Sequence, residues 1–150
     1  MFEKTGEVVT INPSKCSARV KFDDQDDSIS AELQVVTKGS IKNKDYWMPK
    51  IGEQVYCSFT QEKKGFIVGS IYSDLDEPPV IKDSIRALHF EDGTKLEYNT
   101  EDKTLSIDCV GPITIKSIGN VNVIGDVIAD GISLKNHTHT GTTPPVGGSS

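Results

Sequence analysis

The sequence predicts an all-β chain, an N-terminal Greek-key barrel of the OB type followed by a C-terminal β-helix or prism in which chains intertwine. Three observations carry that prediction. Short β-branched or aromatic runs, several alternating apolar with polar, fill about the first seventy residues. Polar stretches bearing Gly or Pro separate them. Near the other end Gly119, Gly125 and Gly131 recur six apart, with Ile and Val alternating between them.

The barrel strands are expected at Glu7–Ile11, Ser17–Phe22, Ala31–Val36, Gln54–Phe59 and Gly65–Gly69. Asn12-Pro13-Ser14, the acidic run Asp23 to Asp27, Thr37 to Ser40 and Glu62 to Gly65 supply the reversals. One longer connection, through Lys42 to Asp45, suits a five-stranded barrel, and Trp47 is expected to pack beneath it. Asp23 to Asp27 lacks the glycine and terminal glutamate of an EF-hand loop, so it reads as a solvated turn. Pro78-Pro79 ends any regular element and marks an extended link.

Beyond the link the pattern tightens into a β-meander: Arg86–Phe90, an Asp92-Gly93 turn, Lys95–Tyr98, a turn over 99–103, and Thr104–Asp108. His89 lies within the first of these strands and reads as a strand-face residue. After Gly111 the expected strands shorten to Ile113–Ile115, Val121–Val123, Asp126–Ile128 and Ile132–Leu134. Glycine at each corner allows the chain to coil while Ile and Val point inward. Strands this short bury too little apolar area alone, so stacked neighbours are required, and three chains about one axis is the geometry favoured. The organisation expected is a collar over 1–73, a linker over 74–84, a shaft over 85–109, a β-helix over 110–136 and a tip over 137–150.

Charge follows the same division. The net charge of −6 resides in residues 1–109, which hold 14 basic and 20 acidic side chains (14 − 20 = −6), while the last 41 residues are neutral. The chain thus has an acidic handle and an uncharged point, which suits entry into a membrane, where charges are costly to desolvate. An acidic chain with few aromatics is a poor binder of nucleic-acid phosphates, so no nucleic-acid partner is expected. No apolar run approaches the roughly 18 residues of a membrane span. The start, Met1-Phe2-Glu3-Lys4, lacks a signal-peptide pattern, and Cys16, Cys57 and Cys109 are odd in number and far apart, so synthesis in a reducing cytoplasm with buried thiols is expected. There is no phosphate loop of the Gly-Lys-Ser/Thr type, no Gly-x-Ser-x-Gly elbow and no recognisable Cys–His pairing, and no enzymatic activity is expected.

One constellation carries chemistry. In Asn136-His137-Thr138-His139-Thr140-Gly141, His137 and His139 share one face of an extended chain. Two imidazoles make an incomplete site, and no Cys or third His lies near to complete a tetrahedral one. Three copies meeting on an axis give 3 × 2 = 6 nitrogen ligands, suited to an octahedral first-row transition metal. A polar tail with incidental histidines is the competing reading of the spacing, and the Thr142 to Ser150 stretch is either a Pro-Pro segment folded back over the site or a loose end. Six protein ligands leave no open position, so such an ion is structural.

Trp47-Met48-Pro49 with Gly52-Glu53-Gln54-Val55, then Gly65 to Tyr72, Pro78-Pro79, Asp92-Gly93-Thr94-Lys95-Leu96-Glu97-Tyr98 and the terminal His-x-His closely resemble the baseplate assembly protein V family. These are the central spikes of contractile-tailed bacteriophages and phage-tail-like bacteriocins, similar in design to the tips of type VI secretion spikes. The resemblance runs nearly end to end. It implies an OB-fold collar, a trimeric β-helical needle, and an iron ion held at the apex by His137 and His139 of each chain. It also implies docking on the baseplate hub below the tail tube, piercing of the target cell membrane, and residence in a virion or bacteriocin particle. No lysozyme-like insertion is present.

Two rivals come from other classes. Ile118 to Val123 and Ile124 to Ala129 look like hexapeptide repeats of trimeric acyltransferases, although two hexads are too few for a standing coil that needs about three per turn. An OB-fold module binding oligonucleotides or oligosaccharides rests on fold analogy alone, and acidity without an aromatic stripe opposes it.

Overall fold

In the computed structural model, which describes residues 2–24 and 28–138, the first strand serves two neighbours. β1 (Phe2–Asn12) pairs through Gly6–Asn12 with β2 (Ser17–Phe22) and through Phe2–Glu7 with β4 (Gln54–Phe59). With β3 (Leu33–Val35) and β5 (Gly65–Ser70) the order is β1-β2-β3-β5-β4, closed on itself. Every pairing is antiparallel except β3 with β5, which run parallel. This is the expected Greek-key barrel.

Barrel closure needs curvature, and two bulges supply it. Register shifts between Val8 and Thr10 against β2, and between Tyr56 and Cys57 against β5. Strict alternation places Val55, Cys57 and Phe59 of β4 inward, where they meet Val8, Ala18, Val20, Phe22, Leu33, Val35 and Ile67. With Pro49, also fully buried, these are the buried apolar side chains among the described residues beyond the glycines, and all lie between Val8 and Ile67. Trp47 and Met48 pack against that core, and the Trp47 indole N–H donates to Val36 O at 3.1 Å.

Two barrel boundaries differ from expectation by more than one residue. β1 begins five residues earlier than Glu7, because its first half finds a partner only in β4, some fifty residues on. β3 starts at Leu33 rather than Ala31, since Ser30 takes over the ladder to β2: its N–H donates to Val20 O at 2.8 Å and its hydroxyl accepts Val20 N–H at 3.0 Å. The Asn12-Pro13-Ser14 reversal is a 3-10 turn, Pro13–Lys15, closed by Cys16 at φ 50°. Gln25, Asp26 and Asp27 lie outside the described residues, while Asp23 and Asp24 are tied to Thr5 and Lys4.

A second sheet follows, β6 (Ile85–His89), β7 (Lys95–Asn99) and β8 (Thr104–Asp108), an antiparallel meander where one was expected. Its turns are held by acidic and amide side chains. Asp92 accepts Thr94 N–H at 2.8 Å, Asn99 accepts Glu101 N–H at 3.0 Å, and Asp102 accepts Thr104 N–H at 3.0 Å.

Over 110–127 the described chain forms no strand ladder with itself. The last elements are β9 (Ile128–Ala129) and β10 (Ile132–Ser133), a hairpin around Asp130 at φ 48° and Gly131 at φ 82°. Two successive left-handed residues make the tight turn that matches strand twist, and Asp-Gly is the pair best suited to it. No α-helix occurs among the described residues, and no helix is long and apolar enough to cross a membrane.

Candidate functional site

The chemistry-bearing end of the described chain is built around one carboxylate. Asp126 Oδ1 accepts the N–H of Val127 at 2.8 Å and of Lys135 at 3.1 Å, and Oδ2 accepts the Ser133 hydroxyl at 2.6 Å. Ser133 Oγ in turn accepts Asn136 N–H at 3.0 Å, and Leu134 N–H donates to Val127 O at 2.8 Å. Hydrogen bonds from Ser133 first, then from the Lys135 and Val127 amides, hold the Asp126 carboxyl below the usual carboxylate range, so it is ionised at neutral pH. In the sequence Asp126 is no more than the first residue of an expected strand, Asp126–Ile128. Its signal was the Gly125-Asp126 turn facing a serine seven positions on, and that pairing needs the hairpin register to be seen.

His137 follows this hairpin. Its Nδ1 lies 2.6 Å from Leu134 O, and since a carbonyl only accepts, Nδ1 carries the hydrogen. In the neutral ring the lone pair therefore belongs to Nε2. A ring whose Nδ1–H is fixed on a backbone carbonyl and whose Nε2 carries the lone pair is the usual arrangement of a metal-binding histidine. The donor chemistry of His137 thus fits a first-row transition metal. His139 lies outside the described residues. Among the described residues no three His, Cys, Asp or Glu side chains gather in one place.

The other residues weighed from the sequence sit elsewhere. His89 Nε2 pairs with Glu97 Oε1 at 2.5 Å across β6 and β7, far in sequence from the tip. Cys57 is fully buried and burial pushes its thiol up to about 11, which keeps it protonated and unreactive at neutral pH. Cys16 and Cys109 are half-buried, and all three thiols are free.

The larger feature is a surface. Along the meander, Leu88, Leu96 and Ile107 form one cross-strand row, and Arg86, Tyr98 and Leu105 the next, all on one face. The opposite face carries Ala87, Glu97 and Ser106 beside His89, Lys95 and Asp108. Both faces of this single-layer sheet are open: on the apolar one Leu88 is 61%, Leu105 60% and Ile107 56% exposed, and on the other Lys95, Ser106 and Asp108 are exposed while Ala87, His89 and Glu97 are half-buried. Exposure continues through Ile113, Ile115, Ile118, Val121, Val123 and Ile124. Exposed apolar residues in such number make this a candidate interaction surface.

Fold and surface together define a class: an all-β chain with a closed five-stranded barrel at one end and an apolar stalk that a single chain leaves uncovered. No family model matches the chain. Over 98 residues, 64% of the chain, it is 24% identical to the protein named "Spike protein" of Escherichia phage P2, of which it covers 46%. The chain therefore spans about half the length of the curated relative it matches. The likeness supports a distant phage spike-like relationship.

Proposed function

We propose that this chain is a non-enzymatic homotrimeric spike at the tip of a contractile tail or related injection system. The barrel over 1–73 is the collar that docks on the baseplate hub and tail tube. Residues 85–136 form the shaft, in which the meander sheets of three chains turn their Leu88–Leu96–Ile107 faces together and the segments of 110–136 wind around one another as a β-helix. Driven by sheath contraction, the neutral point pierces the target cell envelope. The particle is a virion or a bacteriocin.

The observation that carries this reading is the uncovered apolar face of the meander, where Leu88, Leu105 and Ile107 stand open to solvent. Each Leu or Ile moved from water into a packed interface contributes about 1.5–3 kcal/mol. A three-stranded sheet with no layer against its apolar side needs that contribution to stand. Short extended segments such as Ile113–Ile115 and Val121–Val123, which have no ladder within the chain, gain one from neighbouring copies. Rigidity is then the function, because no strand can yield without breaking hydrogen bonds to the others.

At the apex, His137 and His139 of each chain supply six imidazoles to one ion, iron by the resemblance. When bound, the ion supplies a cross-link between three chain ends that would otherwise fray. The test joins native mass with elemental analysis of unchelated protein. A trimer with one transition metal per three chains is expected, and His137→Ala with His139→Ala should release the metal and leave the trimer assembled. A monomer would sink the spike reading, and a trimer without metal would sink the apex site alone.

A further inference from the structure

We infer that Asp126 is the positioning residue of the tip, its carboxylate clamping the hairpin so that His137 is presented with its ring orientation already set. The inference deepens the apex site proposed above and rests on that reading.

The bonds converge on a short segment. Asp126 holds Ser133 and Lys135 directly, and through Ser133 Oγ it holds the N–H of Asn136. Leu134 is tied by its N–H to Val127 O, in the residue next to Asp126, and its own carbonyl accepts the His137 ring. Every residue from Ser133 to His137 therefore makes one bond that traces to Asp126 or its neighbour. A carboxylate accepts several donors at once, and here three different groups, a hydroxyl and two amides, use both oxygens.

The clamp matters because a hairpin of two-residue strands has few ladder bonds of its own. Leu134 is 63% exposed and Ile132 64%, so no apolar packing within the chain fixes the hairpin. Without the carboxylate the two-residue strands β9 and β10 are too short to stay paired in water. His137 would then hang on a chain that must be ordered when an ion binds, and affinity falls by that ordering cost. Asp126 acts on the backbone and on Ser133, not on the ion. Partners that orient a ligating histidine are worth about 10–100-fold in metal affinity.

The test uses full-length, metal-stripped protein titrated with Co2+ alone, whose visible absorption reports coordination. Wild type, Asp126→Asn, Ser133→Ala and His137→Ala are compared, with native mass on each and amide exchange of Val127 and Lys135 in the metal-free state. Asp126→Asn should keep the trimer, speed exchange at both amides, weaken Co2+ binding by about 10–100-fold and alter the absorption bands. Ser133→Ala, which removes the Ser133 bond and the relay to Asn136 but leaves the Val127 and Lys135 amides on the carboxylate, should weaken binding by less. If Asp126→Asn binds Co2+ as wild type does while His137→Ala does not, the positioning role is overturned and the apex site stands. If wild type takes up no Co2+, the apex site and the role built on it both fall. Should Asp126→Asn fail to assemble, unchanged affinity in an intact Ser133→Ala trimer overturns the role.

Discussion

At Gly65 the barrel interior leaves no room for a single methyl group. A Cβ there would lie 2.4 Å from the Phe59 ring and 2.8 Å from Leu33 Cδ2, and both belong to the buried core. Phe59 cannot swing aside, because Phe2 stacks on it at 4.8 Å between centroids and Phe22 meets it edge-on at 5.8 Å. Overpacking of a filled core costs about 1–3 kcal/mol. Gly65→Ala should therefore lower barrel stability by that amount in urea denaturation. Gly69→Ala, where nothing lies within 4 Å of the added carbon, should change it little. An unchanged midpoint for Gly65→Ala would show that the Phe59 cluster relaxes.

Elements differ in how far the sequence specified them. β8 was read at its observed bounds and β6 and β7 to within one residue, since alternation and turn residues are local signals. β1 was read at half its length, because the pairing that defines Phe2 to Gly6 involves β4 and depends on barrel closure. The tip was legible only in part. Position placed His137 after the last strand, but the Leu134 contact and the Asp126 clamp depend on the register of a hairpin that only two residues per strand define. The strands anticipated over 113–123 have no partners within one chain, and a ladder supplied by other copies lies outside what one chain displays.

The meander offers a sharper test at the same scale. Leu96 stands mid-row between Leu88 and Ile107, so Leu96→Glu puts a carboxylate at the centre of the apolar face. Burying an unpaired charge costs several kcal/mol. The expected outcome is loss of the trimer on light scattering with the barrel's thermal transition retained. Ser106→Glu, on the opposite face beside Ala87 and Glu97, should leave the oligomer intact. If both variants dissociate equally, the face assignment is wrong.

Across the whole molecule, stability is distributed unevenly. The buried apolar core of one chain is confined to the barrel, and past Ile67 the described chain buries no apolar side chain fully. Between barrel and meander, Lys50 and Glu91 pair at 3.0 Å, but both are more than two-thirds exposed, and such a surface pair is worth about 0–1 kcal/mol. The barrel should therefore fold without the stalk. A fragment of residues 1–73 is expected to be a monomer with a cooperative melt close to that of the barrel in the full chain, measured by circular dichroism and native mass. A fragment that is unfolded in isolation would mean that the stalk sustains the collar.

That confinement of the core also sets an order in time. N-terminal segments fold first during synthesis, and a barrel whose last strand ends at Ser70 closes while the rest of the chain is still emerging. The stalk has no such early partner. On the proposed reading its folding is a collision between chains whose barrels are already formed, so its rate rises with chain concentration while the barrel's does not. During that wait the charge of residues 74–109, 4 basic against 10 acidic side chains (4 − 10 = −6), keeps the exposed apolar stalk dissolved, so the stalk carries its own solubilising charge until its neighbours arrive.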